Sequence, residues 1–240
     1  MQIYHPELKE RIKFTIGIIC GGIKSRFFAE YLAGKAGVAN NHFTQPQFRI
    51  KDHQSRASDY SFGCKDEEGA LHTIKMRKVG DMWGSGMFKN NACDYCDDVT
   101  TELADISLGD AWLNPYNQDG KGTNVMVTRS KLAEDLINEG IKKKELSVEH
   151  LDFNQFLSSQ QGSFNHRQKA LGYRISLAKK KGFTIPPKRH DQEKISLDFK
   201  LVQKQRMVVR KLSLLQWPIA TDSLVFDHVL LKSKEKLKHR

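Results

Sequence analysis

From residue 12 to residue 20 the chain reads Ile-Lys-Phe-Thr-Ile-Gly-Ile-Ile-Cys, a β-branched run closed by Gly21-Gly22. That pattern predicts a buried strand, a tight turn, and a helix over 24–33 in which Phe27, Phe28, Tyr31 and Leu32 fall at helical spacing. Shorter strands are expected at 47–51, 60–64 and 71–76, separated by Asp/Glu/Gly clusters that mark turns, and they predict an antiparallel meander. A strand over 104–108 runs into Gly109-Asp110, another covers 124–128, and a helix over 131–138 is expected to stop at Gly140. The fold class is α/β, a mixed α+β body.

Beyond residue 150 the pattern becomes helical and basic, with interruptions at Gly182 and Pro186-Pro187. The expected division is a body over 1–182 and a basic amphipathic helical tail over 183–240. Within 197–217 the residues Leu197, Leu201, Val208, Leu212 and Leu215 recur at three-, four- and seven-residue steps with Lys and Arg between them. Packing against the body or a partner is the leading meaning of such a helix, and contact with a membrane surface the weaker one.

Composition sharpens this picture. Of 240 residues, 39% are hydrophobic, enough to bury a core. The longest apolar runs, at 16–20 and 225–231, fall far short of a membrane span, and the first residues lack the order of a secretory signal. A cytoplasmic protein is expected. The net charge of +11 is uneven: residues 1–140 hold 17 Lys/Arg against 19 Asp/Glu, and residues 141–240 hold 22 against 9. A near-neutral body with a basic tail facing phosphate, an anionic membrane or an acidic protein is one reading of that asymmetry, and a solvated surface the other. The segment Phe164-Asn-His-Arg167 and the later Arg174 fall in this basic region, where an acidic partner is a reasonable target.

Four cysteines, at 20, 64, 93 and 96, stand in a chain where structural disulfides are disfavoured, so metal or redox chemistry leads. Cys93-Asp-Tyr-Cys96 is a C-x-x-C, a spacing that turns both thiolates toward one metal centre. A zinc ribbon would need a second such pair and a zinc finger a pair of histidines, and neither spacing occurs. Dithiol exchange is disfavoured by the flanking Asp94, Asp97 and Asp98, which raise a thiol pKa. Cys20, before Gly21-Gly22, is either a third ligand at a turn where backbone amides approach sulfide or phosphate closely, or an inert core thiol. His53, His72, His150 and His166 share no ligand spacing, and Trp83, Trp112 and Trp217 read as packing residues.

The strand ending Gly17-Ile-Ile-Cys20-Gly-Gly, the segment Phe48-Arg-Ile-Lys51, and Cys93-x-x-Cys96-Asp97 leading into Ala104-Asp-Ile-Ser-Leu-Gly-Asp110-Ala-Trp112 resemble the C-terminal half of the coenzyme F420 hydrogenase/dehydrogenase beta-subunit family, over roughly residues 10–180. The resemblance implies an iron–sulfur flavoprotein-type oxidoreductase subunit. It would pass electrons between a reduced deazaflavin or similar carrier, FAD and a [4Fe–4S] cluster, with Cys20, Cys93 and Cys96 as ligands. Candidates for the cofactor region are Gly21, Gly22, Asp105, Gly109 and Asp110, with Arg49 and Lys51 for a cofactor phosphate. Surface placement of that pair, and a turn capped by the aspartates, are the structural alternatives.

The family's upstream Pro-Cys-Gln motif and N-terminal ferredoxin-like segment do not occur in this chain. The implied partner is therefore another redox subunit or such a segment, and a truncated product or a split subunit is expected. The fourth ligand is absent or supplied by another chain in preference to Cys64, which sits in the acidic turn 63–69. From another class comes a binding protein with one structural zinc and a basic tail for nucleic acid or a partner. Nucleic acid is disfavoured, since the tail has few aromatics to stack on bases.

Overall fold

Each of the strand-forming stretches finds a partner in the computed structural model, which describes residues 5–39, 42–190, 193–220 and 226–227. Among these residues the strands are β1 (Ile16–Ile18), β2 (Thr44–Ile50), β3 (Ser61–Lys65), β4 (Leu71–Lys75), β5 (Ile106–Asp110) and β6 (Asn124–Thr128). β2, β3 and β4 form the expected antiparallel meander, while β1 pairs parallel with β5 and β5 antiparallel with β6. The helices are α1 (Pro6–Arg11), α2 (Phe27–Lys35), α3 (Met76–Val79), α4 (Lys131–Lys142), α5 (Phe153–Ser159), α6 (Gln161–Phe164), α7 (Leu171–Lys180) and α8 (Leu197–Ala220). The mixed α/β class expected from the pattern is the observed one.

Several elements depart from their patterns. The β-branched run over 12–20 yields only a three-residue strand, and it is not buried: Ile16 and Ile18 are 65% and 71% exposed, while Gly17 faces inward. Gly17 is needed there, because a Cβ would stand 2.5 Å from that of Thr101. Gly109 and Asp110 continue β5 and do not turn out of it. α4 runs through Gly140 to Lys142, since the missing side chain lets Leu146 pack on the helix within 2.7 Å of where a Cβ would be. The helical stretch after 153 is interrupted by a π-helical turn at Asn165–Lys169. Of the tryptophans only Trp217 is buried; Trp83 and Trp112 are roughly half-exposed.

The core lies between α2, the meander, the 82–88 loop and α8. Phe28, Tyr31, Leu32, Phe62, Phe88 and Trp217 belong to one cluster, so residues on both sides of 182 share it. Aromatic rings set its geometry: Tyr31 meets Trp217 edge-on with centroids 5.6 Å apart, and Phe88 meets Trp217 at 6.0 Å, separations at which aromatic pairs attract. α8 is further fixed by the Ser213 hydroxyl, which accepts from the Phe88 amide at 2.8 Å. The amphipathic helix of the basic tail thus packs on the body. No helix among the described residues is long and apolar enough to cross a membrane. Of the apolar run at 225–231, only 226 and 227 are described; the rest of the tail beyond 220, and residues 1–4, lie outside the described residues.

Trp217 is 1% exposed and its indole N–H donates to the buried Glu30 carboxylate at 2.8 Å. Trp217→Ala is expected to lower the unfolding free energy by about 3–5 kcal/mol. Urea unfolding measures it, and a loss below about 1 kcal/mol would remove α8 from the core.

Candidate metal centre

The C-x-x-C sits on a 3-10 turn, Asn91–Tyr95, whose start is capped by the Asn90 side chain accepting from the Ala92 amide. Cys93 is buried and Cys96 half-buried. The turn after β1 comes to meet them. Gly22, at φ +125°, donates its amide to Cys20 Sγ at 3.3 Å, and the next amide, Ile23, donates to Cys93 Sγ at 3.3 Å. Only glycine adopts that backbone readily, so Gly22 is what lets two successive amides face two sulfurs. Arg167, on the π-helical turn, closes the third side: one guanidinium nitrogen donates to Cys96 Sγ at 2.7 Å and another to the Cys20 carbonyl. Cys20, Cys93 and Cys96 are thereby joined through one short turn and one arginine. Cys64 is not among them; it is fully buried in β3, within the aromatic core, and burial pushes its thiol pKa up.

Around this turn lies a set of buried and half-buried cations. Lys24 donates to the Met82 and Met87 carbonyls at 2.5 and 2.6 Å and lies over the Trp83 ring; burial and nearby Lys89 bring its pKa down to about 7. Lys89 and Arg210 pair with Asp94 at 3.1 and 2.7 Å. Arg174 donates to the Asp94 carbonyl at 2.7 Å and is 2% exposed; burial lowers its pKa to about 10. Arg167 and Arg174 are therefore interior residues and do not offer a surface to an acidic partner. Their burial has no signal in the sequence, because the pattern around them is that of a solvated basic helix. The negative flank of the cysteine loop is offset in the same way: Arg189 meets Asp98 at 3.2 Å, its amide donates to Asp97, and Lys188 donates to the Tyr95 carbonyl.

The other candidates are occupied with one another or with the scaffold. Arg49 forms a two-pronged pair with Asp110, at 2.9 and 2.8 Å, that ties the meander to β5. Lys51 donates to the Lys121 carbonyl. The Asp105 carboxylate accepts from the Thr15 amide and hydroxyl at 2.8 and 2.7 Å, fastening the entry to β1 onto β5. Gly109 is a close-approach position, as a Cβ there would stand 2.6 Å from that of Ile19. Gly21 has open space up to the Trp83 ring, 3.8 Å from where a Cβ would be.

Among the described residues no group of three or more His, Cys, Asp or Glu converges as donors to a single ion. A [4Fe–4S] cluster takes one thiolate per iron and spreads its ligands more widely. Two observations fit such an anionic, sulfur-ligated group: amides and a guanidinium already aimed at sulfur, and the buried Nε of Arg167, which has no partner. The set is one ligand short.

Together the fold and this site define a cysteine-bearing α/β protein with three thiols gathered under a cationic cover. The chain belongs to the coenzyme F420 hydrogenase/dehydrogenase family defined by the C terminus of the beta subunit, whose pattern matches residues 1–153. That membership bears out the resemblance read from its motifs. Among solved structures it is similar to a chain of the F420-reducing [NiFe] hydrogenase complex from Methanosarcina barkeri, in a xenon-derivatised form, at 16% identity and a TM-score of 0.40. The match covers 73% of this chain and 54% of that one, so this chain spans about half of its length. A comparison with curated proteins finds no match.

The scaffold of the site can be tested at two positions. Gly109→Ala pushes a methyl into Ile19 and is expected to cost about 1–3 kcal/mol and to speed alkylation of the Cys20 thiol; unchanged stability and labelling would show that the approach is slack. Asp105 is held below the ordinary carboxylate range, chiefly by the Thr15 hydroxyl and then by Ser130. A carboxyl with a depressed folded pKa contributes stability that is present above its unfolded pKa of about 4 and lost as pH falls through the folded value. Asp105→Asn should therefore flatten the acid limb of stability against pH, read from urea midpoints; an identical limb would contradict the assignment.

Proposed function

We propose that this chain carries a [4Fe–4S] cluster on Cys20, Cys93 and Cys96 within a flavin-linked electron-transfer subunit. The observation that carries the reading is the pair of successive amides, Gly22 and Ile23, donating to Cys20 and Cys93 sulfurs beside Arg167 on Cys96. A cluster supplies one-electron transfer, and FAD beside it links that to a two-electron carrier such as reduced coenzyme F420.

The protein's own residues hold and tune. N–H donors to thiolate sulfur and nearby positive charge stabilise the more negative, reduced state, so Gly22, Ile23, Arg167, Lys24 and Lys89 together raise the reduction potential. Arg167 also fixes the relative position of the two half-buried cysteines by bridging Cys96 Sγ and the Cys20 carbonyl. The fourth ligand comes from another segment or subunit, because Cys64 is committed to the core. Exposed Ile16 and Ile18, leading directly to Cys20, support seating of that neighbour beside β1. FAD is shared with the same neighbour; the binding groups proposed in this chain, Arg49 and Lys51, become available only if their present partners give way.

Anaerobic purification, with iron, sulfide, zinc and flavin analysis, tests the reading. About four irons with matching sulfide per chain are expected, falling to background in Cys93→Ser and Cys96→Ser and unchanged in Cys64→Ser. Zinc without iron, or equal loss in Cys64→Ser, would overturn it.

A further inference from the structure

Beside Asp94 of the cysteine loop, a small, partly enclosed cavity of about 10 Å³ lies between the 86–94 loop, the π-helical turn, α7 and α8. Four cations, Lys89, Arg174, Arg206 and Arg210, line it against the single carboxylate of Asp94. That carboxylate is already shared by Lys89 and Arg210. The remaining two cations have only neutral hydrogen-bond partners: Arg174 meets the Asp94 carbonyl and Gln203 Oε1, and the half-buried Arg206 meets the Gly84 and Trp83 carbonyls, with the Asp81 carboxylate nearby. His166, which also lines the cavity, does not add an anion, and Gln203 Nε2 faces its Nδ1. One nitrogen of Arg174, Nη2, is buried without any partner.

Isolated buried charge costs several kcal/mol unless it is paired. A water would satisfy the orphaned N–H but leave the charge uncompensated, and the cavity has room for only about one atom-sized occupant. We propose that this cavity is a binding site for one small monoatomic anion, a halide such as chloride, held by Arg174 and Arg206. No cysteine lines the site, so the proposal does not depend on metal ligation.

The test is thermal unfolding of the intact protein in sodium chloride against sodium gluconate at equal ionic strength. Chloride is expected to raise the midpoint along a saturating curve by about 2–4 °C, while bulky gluconate does not. Arg174→Gln should lose the chloride response. Because that variant risks misfolding, Gln203→Glu provides the complementary measurement: it places a carboxylate on Arg174, and should raise the midpoint in gluconate and abolish the chloride response. A flat chloride response, a non-saturating rise equal in both salts, or a Gln203→Glu protein as chloride-sensitive as the parent would each overturn the proposal.

Discussion

Positive charge buried beside the cysteine loop is the constraint on which the arrangement of the whole C-terminal half depends. Asp94, 5% exposed, is met by Lys89 from its own loop and by Arg210 from α8, while Arg174 from α7 holds its carbonyl. Removing any one of these elements leaves the others with an uncompensated buried charge, a far larger cost than a lost surface pair. The loop, α7 and α8 are therefore stable only together. The uneven charge of the chain acquires a partial structural meaning from this: some of the Lys and Arg beyond residue 140, among them Lys188, Arg189 and Arg210, fold back onto the stretch Asp94–Glu102.

The N-terminal half brings its share of the site to the loop by close backbone approach. Gly17 lets β1 lie against Thr101, Gly109 lets Ile19 lie against β5, and the Ile19 amide donates to the Leu108 carbonyl at 2.8 Å just before the chain turns at Cys20. Asp105 fastens the other end of the same strand through Thr15. A strand of three residues with exposed isoleucines has little burial of its own to hold it, so these polar and steric anchors fix where Cys20 stands. The Arg49–Asp110 pair does the same between the two sheets; half-exposed, it contributes position more than free energy.

Local pattern made the elements legible and long-range packing hid what they are used for. The meander, the strand at 124–128 and the amphipathic helix after 197 follow period and turn chemistry, which are properties of neighbouring residues. The C-x-x-C stood out for the same reason. Exposure of Ile16 and Ile18 could not be read, because a β-branched run looks the same whether its sheet is covered or open. Gly140 inside α4 reads as a stop unless the approach of Leu146 is known. Arg167 and Arg174 carry no mark separating them from surface cations, since their burial is decided by a loop some 70 to 80 residues away, as the bonds to Cys96 and Asp94 show. The sequence offers Arg49 and Asp110 as candidates for a cofactor region or for a surface and a turn; it does not show that their complementary charges, 61 residues apart, face one another.

The family match ends at residue 153, and the division has a physical consequence. All four cysteines lie inside the matched stretch, together with Lys24 and Lys89. Arg167, Arg174, Arg206 and Arg210 lie outside it, as do Lys188 and Arg189. The thiol set and its amide donors thus belong to the family's common part, whereas most of the cationic cover is added by the region beyond. For the proposed cluster, the thiols would set what the centre is, and charge at a few ångströms in a water-poor interior would set the energy at which it takes an electron. On that proposal the C-terminal helices would adjust the energy without altering a single ligand, because their cations reach the cysteine loop while the thiols all lie in the matched stretch.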